Sequence, residues 1–274
     1  MIHLFEQDVK TNDRQSSKGN QLKWENQGIW YKADYTGYEG LTEYVVSHLL
    51  QKSTLQDREY TLYDLEEINY KSKIYRAVKS KNFLNKGWQI VTLERLFQNF
   101  FHESLYKSIF TIADHKERLR FLVGQVERVT GLKNFGQYMN KLFTIDALFL
   151  NEDRHTHNIA VLMNNERQFA YCPIFDNGAG LLSDTTMDYP MHEEVYKLID
   201  SVKAKTICDS FDEQLDISEE LYGCYLKFYF TKKDVKTLLD NGKIYSEEER
   251  ERVETVIYER MRKYQYLFIY PSEL

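Results

Sequence analysis

The hydrophobic pattern changes its period near Gly87, and this change constrains the fold more than any other feature. Before it, 29–33 and 60–78 are rich in β-branched and aromatic residues, which predicts strands. After it, apolar residues recur at helical spacing, as in Leu93, Leu96, Phe97, Phe100 and Phe101. Only 3 prolines and 12 glycines interrupt the 274 residues, which indicates long helices with short connections. The pattern therefore predicts an α+β fold, strand-rich at 1–84 and mostly helical at 85–274.

Local signals predict where several elements begin and end. Polar residues at 25–28 and at 69–73 predict the turns of two hairpins. Thr92 and Asp114 precede helical periods and are suited to cap them, because their side-chain oxygens can accept from the first helical N–H groups. Near the end of the chain, 246–249 has the S-x-x-E spacing of a capping box, which predicts the start of another helix.

Composition excludes several classes of protein. With 36 Lys and Arg against 42 Asp and Glu, the net charge is −6 and no basic block occurs, so direct nucleic-acid binding is not expected. No apolar run approaches the roughly 20 residues of a membrane span, so no membrane partner is expected. The three cysteines lack C-x-x-C spacing, which argues against a disulfide framework and a cysteine-built zinc site. The first ten residues contain the acidic Glu6 and Asp8 and lack the apolar block of a secretory signal. We therefore expect a cytoplasmic protein, and export as an effector stays an open alternative.

The helical part contains one strand-like interruption, at 159–174. The polar residues at its middle predict a β-hairpin. An antiparallel hairpin places the start of its first strand beside the end of its second. Asp153 and Asn158 lie just before the first strand, and Asp176 lies just after the second. We therefore expect these three side chains at one open end of the hairpin.

Such a group of oxygen-bearing side chains suits metal–phosphate chemistry. Two carboxylates about 5 Å apart repel each other by roughly 3 kcal/mol at an effective dielectric constant of about 20, and a divalent cation would relieve this repulsion. Carboxylate and amide oxygens, with water and phosphate oxygens, are ligands that Mg²⁺ prefers. The spacing alone is equally consistent with an alternative interpretation, an ordinary hairpin whose Asp and Asn side chains cap its loops. No G-x-S-x-G, H-E-x-x-H or Walker A sequence is present, so hydrolase, metalloprotease and P-loop functions lack support.

The spacing of these residues is similar to a known kinase signature. Asp153 is followed by Asn158 and then by Asp176 within F-D-N-G, and the first two belong to D-R-H-x-x-N. This arrangement resembles the HipA-like branch of the protein-kinase-like superfamily. The stretches SSKGNQLKW, GYEGLTEYVVSHLL and SKNFL are similar to segments of its short CtkA-type members. The resemblance implies a two-lobed protein-kinase-like fold with a small β-rich N-lobe at 1–84 and a larger, mostly helical C-lobe at 85–274.

The resemblance implies a role for each residue of this signature. Asp153 would orient or deprotonate the acceptor hydroxyl. Asn158 and Asp176 would hold Mg²⁺ against the phosphates of ATP, which binds between the two lobes. The resemblance thus makes ATP and Mg²⁺ the expected cofactors.

A lysine held by a helix glutamate completes the set that the resemblance implies. Lys32 lies in a predicted strand and would contact the α- and β-phosphates. Glu39 and Glu43 follow it near a helix predicted at 42–50. We expect Glu43 to hold Lys32, because Glu43 lies inside the periodic segment.

Two further segments would contact the nucleotide. No G-x-G-x-x-G sequence is present, so the resemblance assigns the phosphates to the backbone N–H groups and hydroxyls of another loop. The candidate residues of this loop are Ser16, Ser17, Lys18 and Gly19. HipA-like kinases phosphorylate a serine in the corresponding loop, which implies autophosphorylation at Ser16 or Ser17. The segment SKNFL would form the hinge beside adenine, with Lys81 and Phe83 as candidate contacts.

Together these features predict an ATP- and Mg²⁺-dependent serine/threonine protein kinase of HipA-like type that autophosphorylates. Its partners would be ATP and an unidentified protein with a Ser or Thr acceptor, while an antitoxin or regulator partner stays open. One alternative is a kinase-fold enzyme that acts on a lipid or small-molecule hydroxyl. Another is a pseudokinase that acts as a binding module. The sequence does not distinguish among the acceptors.

Overall fold

The computed structural model describes residues 1–10 and 21–269. Its strand-rich N-terminal part contains a five-stranded sheet with the spatial order β1-β4-β5-β3-β2. The strands are β1 (Ile2–His3), β2 (Lys23–Asn26), β3 (Ile29–Ala33), β4 (Asp64–Tyr70) and β5 (Lys73–Lys81). The pairing of β1 with β4 is parallel, and the other pairings are antiparallel.

Two-residue turns close both predicted hairpins of this sheet. Gln27 and Gly28 join β2 to β3 with φ angles of 50° and 79°, and Lys71 and Ser72 join β4 to β5 with φ angles of 50° and 62°. Positive φ at both central residues is typical of the turns whose twist matches that of a hairpin. Because the first turn is this short, β2 extends to Asn26 instead of ending at Trp24.

The remaining elements are mostly helical, as the change of period predicts. The helices are α1 (Glu39–Leu50), α2 (Leu93–Phe101), α3 (Leu105–Thr111), α4 (His115–Thr130), α5 (Phe135–Phe149), α6 (Val195–Ser201), α7 (Phe211–Tyr222), α8 (Lys232–Asn241) and α9 (Glu247–Lys263). Within the described residues, no helix combines the length and the apolar composition needed to cross a bilayer.

The predicted hairpin of the helical part belongs to a three-stranded sheet. Its strands are β6 (Trp88–Thr92), β7 (Ala160–Asn164) and β8 (Phe169–Tyr171) in the order β6-β7-β8. The prediction of a single strand-like interruption is therefore wrong, because β6 is a further strand of this part. β6 directly precedes α2, and its pairing partner β7 lies far along the chain, so no local turn signal marks it.

The predicted helix caps are confirmed. The Thr92 hydroxyl accepts from Arg95 N–H at the start of α2, and the Asp114 carboxylate accepts from Glu117 N–H at the start of α4. Ser246 and Glu249 form a complete capping box at the start of α9. These partners lie within one helical turn of each other, so short-range sequence signals were sufficient to predict them.

The chain divides into two compact units. The first, here the Lys32 unit, comprises Met1–Phe83, Phe175–Ser201 and Lys227–Leu274. The second, here the Asp153 unit, comprises Leu84–Ile174 and Val202–Leu226. The predicted functional lobes at 1–84 and 85–274 stay a prediction.

Each unit has a buried core of its own. In the Lys32 unit, one core cluster lies on the five-stranded sheet and consists of Leu4, Trp24, Tyr31, Ala33, Ile68, Tyr70 and Ala77. In the Asp153 unit, α5 is buried along most of its length and packs against α7. Its largest fully buried side chains are Phe135, Phe143 and Phe149.

Replacing Ser246 with Ala should lower the free energy of unfolding by about 1 kcal/mol, because the first turn of α9 loses its capping hydroxyl. Urea denaturation of both proteins measures this difference. Thr255→Ala is the matched control, since the Thr255 hydroxyl bonds to Glu251 O inside the same helix. We expect the control to change stability by less than about 0.5 kcal/mol. An equal loss in both variants would contradict the capping role.

Candidate active site

Lys32 lies between two carboxylates in the Lys32 unit. It projects from β3, with its Nζ 2.9 Å from Glu43 Oε1 and 2.6 Å from Asp176 Oδ1. Its side chain is only 14% exposed. Two consecutive elements, β3 and α1, therefore meet at one ammonium group with the segment after β8, which lies far along the chain.

The two carboxylates keep Lys32 charged. Burial alone would lower the pKa of this lysine, but the charges of Asp176 and Glu43 raise it well above its ordinary value. The ammonium also lies 5.3 Å from the centre of the Tyr63 ring, which adds a cation–π contact. Lys32 therefore carries a positive charge at neutral pH.

The N-terminal turn of α1 explains why Glu43 and not Glu39 contacts Lys32. The Glu39 carboxylate accepts from the backbone N–H groups of Thr36 and Gly37, which precede the helix. These bonds extend the helix to Glu39, three residues before the predicted start, because Glu39 satisfies the backbone that leads into it. One turn later, Glu43 is buried and faces Lys32.

Glu43 also fixes the segment that carries Asp176. Its second oxygen, Oε2, accepts from Asn177 N–H at 3.0 Å. The hydroxyl of Thr42 contacts Gly180 O at 3.4 Å, so α1 holds this segment at a second point. Asp176 itself has a φ of 62°, and its side chain is 30% exposed. Its carboxylate therefore remains accessible to solvent while its backbone is held by α1.

The candidate hinge residues Lys81 and Phe83 line a cavity of about 530 Å³. Lys81 pairs with Ile29, whereas Lys32 pairs with Val78. Because side chains alternate along a strand, Lys81 and Lys32 lie on opposite faces of the sheet. The Phe83 ring lies 5.8 Å from that of Phe175, the residue before Asp176. The contacts of Lys81 and Phe83 with adenine stay a prediction.

In the Asp153 unit, the loop before β7 brings Asp153 and Asn158 together. Asn158 Nδ2 donates to Asp153 Oδ2 at 2.7 Å and to Asp153 O at 2.8 Å. Because the amide uses its nitrogen in both bonds, its Oδ1 faces another direction. His155 Nε2 lies 3.4 Å from Asp153 Oδ1 and contributes to the orientation of this carboxylate.

A buried ion pair anchors this loop to α5. Arg154 Nε lies 3.1 Å and 3.2 Å from the two carboxylate oxygens of Asp146. Burial raises the pKa of Asp146 to about 6, and the charge of Arg154 opposes this shift. We did not predict Asp146 from the sequence. Its signal was present, since a single acidic residue inside an apolar helical run needs a partner when it is buried.

Two threonines hold the same loop from other sides. The Thr156 hydroxyl donates to the Glu94 carboxylate at 2.8 Å, and Glu94 N–H donates to Thr156 O at 3.0 Å. The Thr206 hydroxyl donates to Arg154 O. Helix α2 and the segment before α7 thus position the backbone on each side of Asp153. No spacing pattern in the sequence identifies these contacts.

Apart from the hinge candidates Lys81 and Phe83, the predicted site residues therefore fall into three groups. Lys32, Glu43 and Asp176 are in contact within the Lys32 unit, and Asp153 and Asn158 are in contact within the Asp153 unit. The predicted phosphate loop lies outside the described residues, and its members are Ser16, Ser17, Lys18 and Gly19. The carboxylate of Asp176 and the amide oxygen of Asn158 are hard oxygen donors, so their chemistry fits Mg²⁺.

The comparisons with known proteins concern the fold. No protein-family model matches the sequence, and no curated protein matches it. The crystal structure of the proinflammatory kinase CtkA from Helicobacter pylori is similar to this chain, with a TM-score of 0.59. The match covers 96% of this chain and 94% of that chain at 16% sequence identity. The chain therefore has a kinase-like fold, which confirms the predicted fold class.

Replacing Asp146 with Ala should lower the free energy of unfolding by about 3–5 kcal/mol, because Arg154 would remain buried without this partner. Urea denaturation measures the loss, and the double variant Asp146→Leu, Arg154→Met should recover most of it. Asp216→Ala removes an exposed acid from α7 and serves as the control, with a change below about 0.5 kcal/mol. A loss under about 1 kcal/mol for Asp146→Ala would contradict the anchoring role.

Proposed function

We propose that the protein is an ATP- and Mg²⁺-dependent serine/threonine protein kinase of HipA-like type. The observation that carries this proposal is the contact of Lys32 with both Glu43 and Asp176. A strand lysine held by a helix glutamate, beside the aspartate that precedes Asn-Gly, is the arrangement that positions nucleotide phosphates in kinases. The kinase-like fold supports the same activity.

In this proposal, Lys32 binds and orients the phosphates of ATP. Its ammonium stays charged, so it can pair with a phosphate oxygen. Glu43 holds the ammonium in place, because its contact is made from a buried position on α1. This pre-organisation lowers the entropic cost of binding, as catalysis by positioning requires.

Asp153 orients the acceptor hydroxyl and takes its proton. The bond from Asn158 Nδ2 and the contact with His155 fix the carboxylate. Holding the acceptor oxygen in line with the γ-phosphate is the main task, since phosphoryl transfer depends on positioning and charge neutralisation. Asn158 and Asp176 would be the protein ligands of Mg²⁺, which when bound neutralises charge on the phosphates.

Asp176→Asn should abolish phosphoryl transfer and Asp153→Asn should reduce it strongly, and neither change should unfold the protein. Incubation with γ-labelled ATP and Mg²⁺, followed by mapping of the labelled residues, measures the activity. We expect label on Ser or Thr in the wild type, no detectable label for Asp176→Asn, and a loss of at least about 100-fold for Asp153→Asn. Lys32→Met should weaken ATP binding in calorimetry.

Two matched controls make the same change in charge elsewhere. Asp200→Asn alters an exposed acid of the Lys32 unit, and Asp216→Asn alters one of the Asp153 unit. Both should retain wild-type labelling. Full labelling of Asp176→Asn would overturn the proposal. ATP binding without any label would favour a lipid or small-molecule acceptor, and no ATP binding would favour a pseudokinase that acts as a binding module.

Autophosphorylation is the second test, and it concerns the loop that we assign to the phosphates. Mass spectrometry after incubation with ATP should find phosphate on Ser16 or Ser17 in the wild type and not in Asp176→Asn. The added negative charge would repel the phosphates of a further nucleotide, so the modified protein should bind ATP more weakly. Phosphate found only at other residues would contradict the assignment of this loop.

A further inference from the structure

A cluster of three potential metal ligands lies in the Asp153 unit, and the proposed kinase reaction does not use it. The donor atoms of His115, Cys208 and Glu213 all lie within 4.8 Å of one another. The shortest separation is 2.6 Å, between His115 Nδ1 and Glu213 Oε1. Cys208 is buried, whereas the other two side chains reach solvent. An ion from solution could therefore enter from the exposed side and contact the thiol beneath.

Three different elements supply these residues, and each is held in position by bonds that do not involve the cluster. His115 is the first residue of α4, directly after its cap Asp114. Glu213 lies in the first turn of α7, where its N–H donates to the Ser210 hydroxyl. Cys208 lies in the segment between α6 and α7. The ligands are thus presented by a structured frame.

The segment that carries Cys208 is itself tightly bonded. Gln214 Oε1 accepts from the N–H groups of Thr206 and Ile207, at 3.2 Å and 2.9 Å. Arg118 Nη1 donates to Ile207 O at 2.7 Å, which joins the same segment to α4. Because the backbone next to Cys208 is fixed, the Cα atom of Cys208 keeps its position relative to α4 and α7.

The chemistry of the donors selects the ion. A thiolate together with an imidazole favours Zn²⁺ over Mg²⁺ and Ca²⁺, which prefer oxygen ligands. Zinc bonds of about 2.0 Å to nitrogen or oxygen and about 2.3 Å to sulfur place tetrahedral ligands about 3.5 Å apart. Side-chain rotations that move each donor atom by about 1 Å would bring the three donors to this spacing. Three protein ligands would leave one position for water.

The charge of the cluster also suits a cation. Glu213 brings a carboxylate oxygen within 4.8 Å of the Cys208 thiol. A divalent cation bound there would be attracted to this carboxylate.

We propose that His115, Cys208 and Glu213 form a zinc site that links the start of α4 to the start of α7. The site is independent of the Mg²⁺ ligands assigned to the kinase reaction. It joins the segment around Thr206, whose hydroxyl contacts Arg154 O next to Asp153. Zinc would therefore stiffen a segment that supports the Asp153 loop.

To test the proposal, the whole chain is first freed of metal with a chelator, and its binding of added metal ions is then measured. Co²⁺ is the spectroscopic probe, because a thiolate ligand produces a sulfur-to-cobalt charge-transfer band, and competition with Zn²⁺ then gives the zinc affinity. We expect one ion per chain and a zinc-dependent rise in the melting temperature. Cys208→Ser should remove the band and weaken zinc binding by more than about 100-fold, beyond the loss typical of an outer-shell partner.

Cys224→Ser is the matched control, since Cys224 is an exposed cysteine of the same unit. It should keep the band, the affinity and the rise in melting temperature. Glu213→Gln changes a solvent-exposed carboxylate and gives a second test if Cys208→Ser folds poorly. Absence of the band from the wild type, its persistence in Cys208→Ser, or equal zinc affinity in the wild type and Glu213→Gln would each overturn the proposal.

Discussion

The partly buried ammonium of Lys32 is the constraint on which the arrangement of the Lys32 unit depends. An unpaired charge at this depth would cost several kcal/mol, so the fold must bring opposite charge to it. One carboxylate comes from α1 and the other from the segment after β8. Glu43 uses its two oxygens for different partners, Lys32 and Asn177 N–H. The same charge balance that stabilises the partly buried Lys32 therefore also determines where Asp176 lies.

In the Asp153 unit, the main requirement is to fix the polar loop before β7 that carries Asp153 and Asn158. An irregular loop has few backbone bonds of its own, so side chains must fix it. The Arg154–Asp146 pair anchors the loop from beneath, and Thr156 and Thr206 bond to neighbouring elements. Asn158 then fixes Asp153 from within the loop. The positioning role that we propose for Asp153 requires such support, because small displacements of the reacting atoms reduce the rate strongly.

The elements that could be predicted are those governed by contacts within a few residues. The capping box of Ser246 and Glu249 needs only one helical turn, and the two-residue turn at Gln27 and Gly28 needs only its neighbours. Strand β6 was missed because its identity comes from pairing with β7. Helix α1 begins at Glu39 because that side chain bonds to the backbone of the preceding turn, a contact that a hydrophobic period cannot reveal.

The sequence by itself determined which residues could perform the proposed chemistry and the α+β class that carries them. It did so because Lys32, Asp153, Asn158 and Asp176 stand at a recognisable spacing, and because hydrophobic period reflects local geometry. The resemblance and the hydrophobic period also pointed to Glu43 as the partner of Lys32, and the two side chains are in contact. Only the tertiary structure decided that Asp146 holds Arg154 and that Cys208 lies beside His115 and Glu213. These contacts join different elements, and those of Cys208 include a residue, His115, that is far from it in the chain. Their energies depend on burial and on the proximity of opposite charges, and both arise only when the whole chain packs.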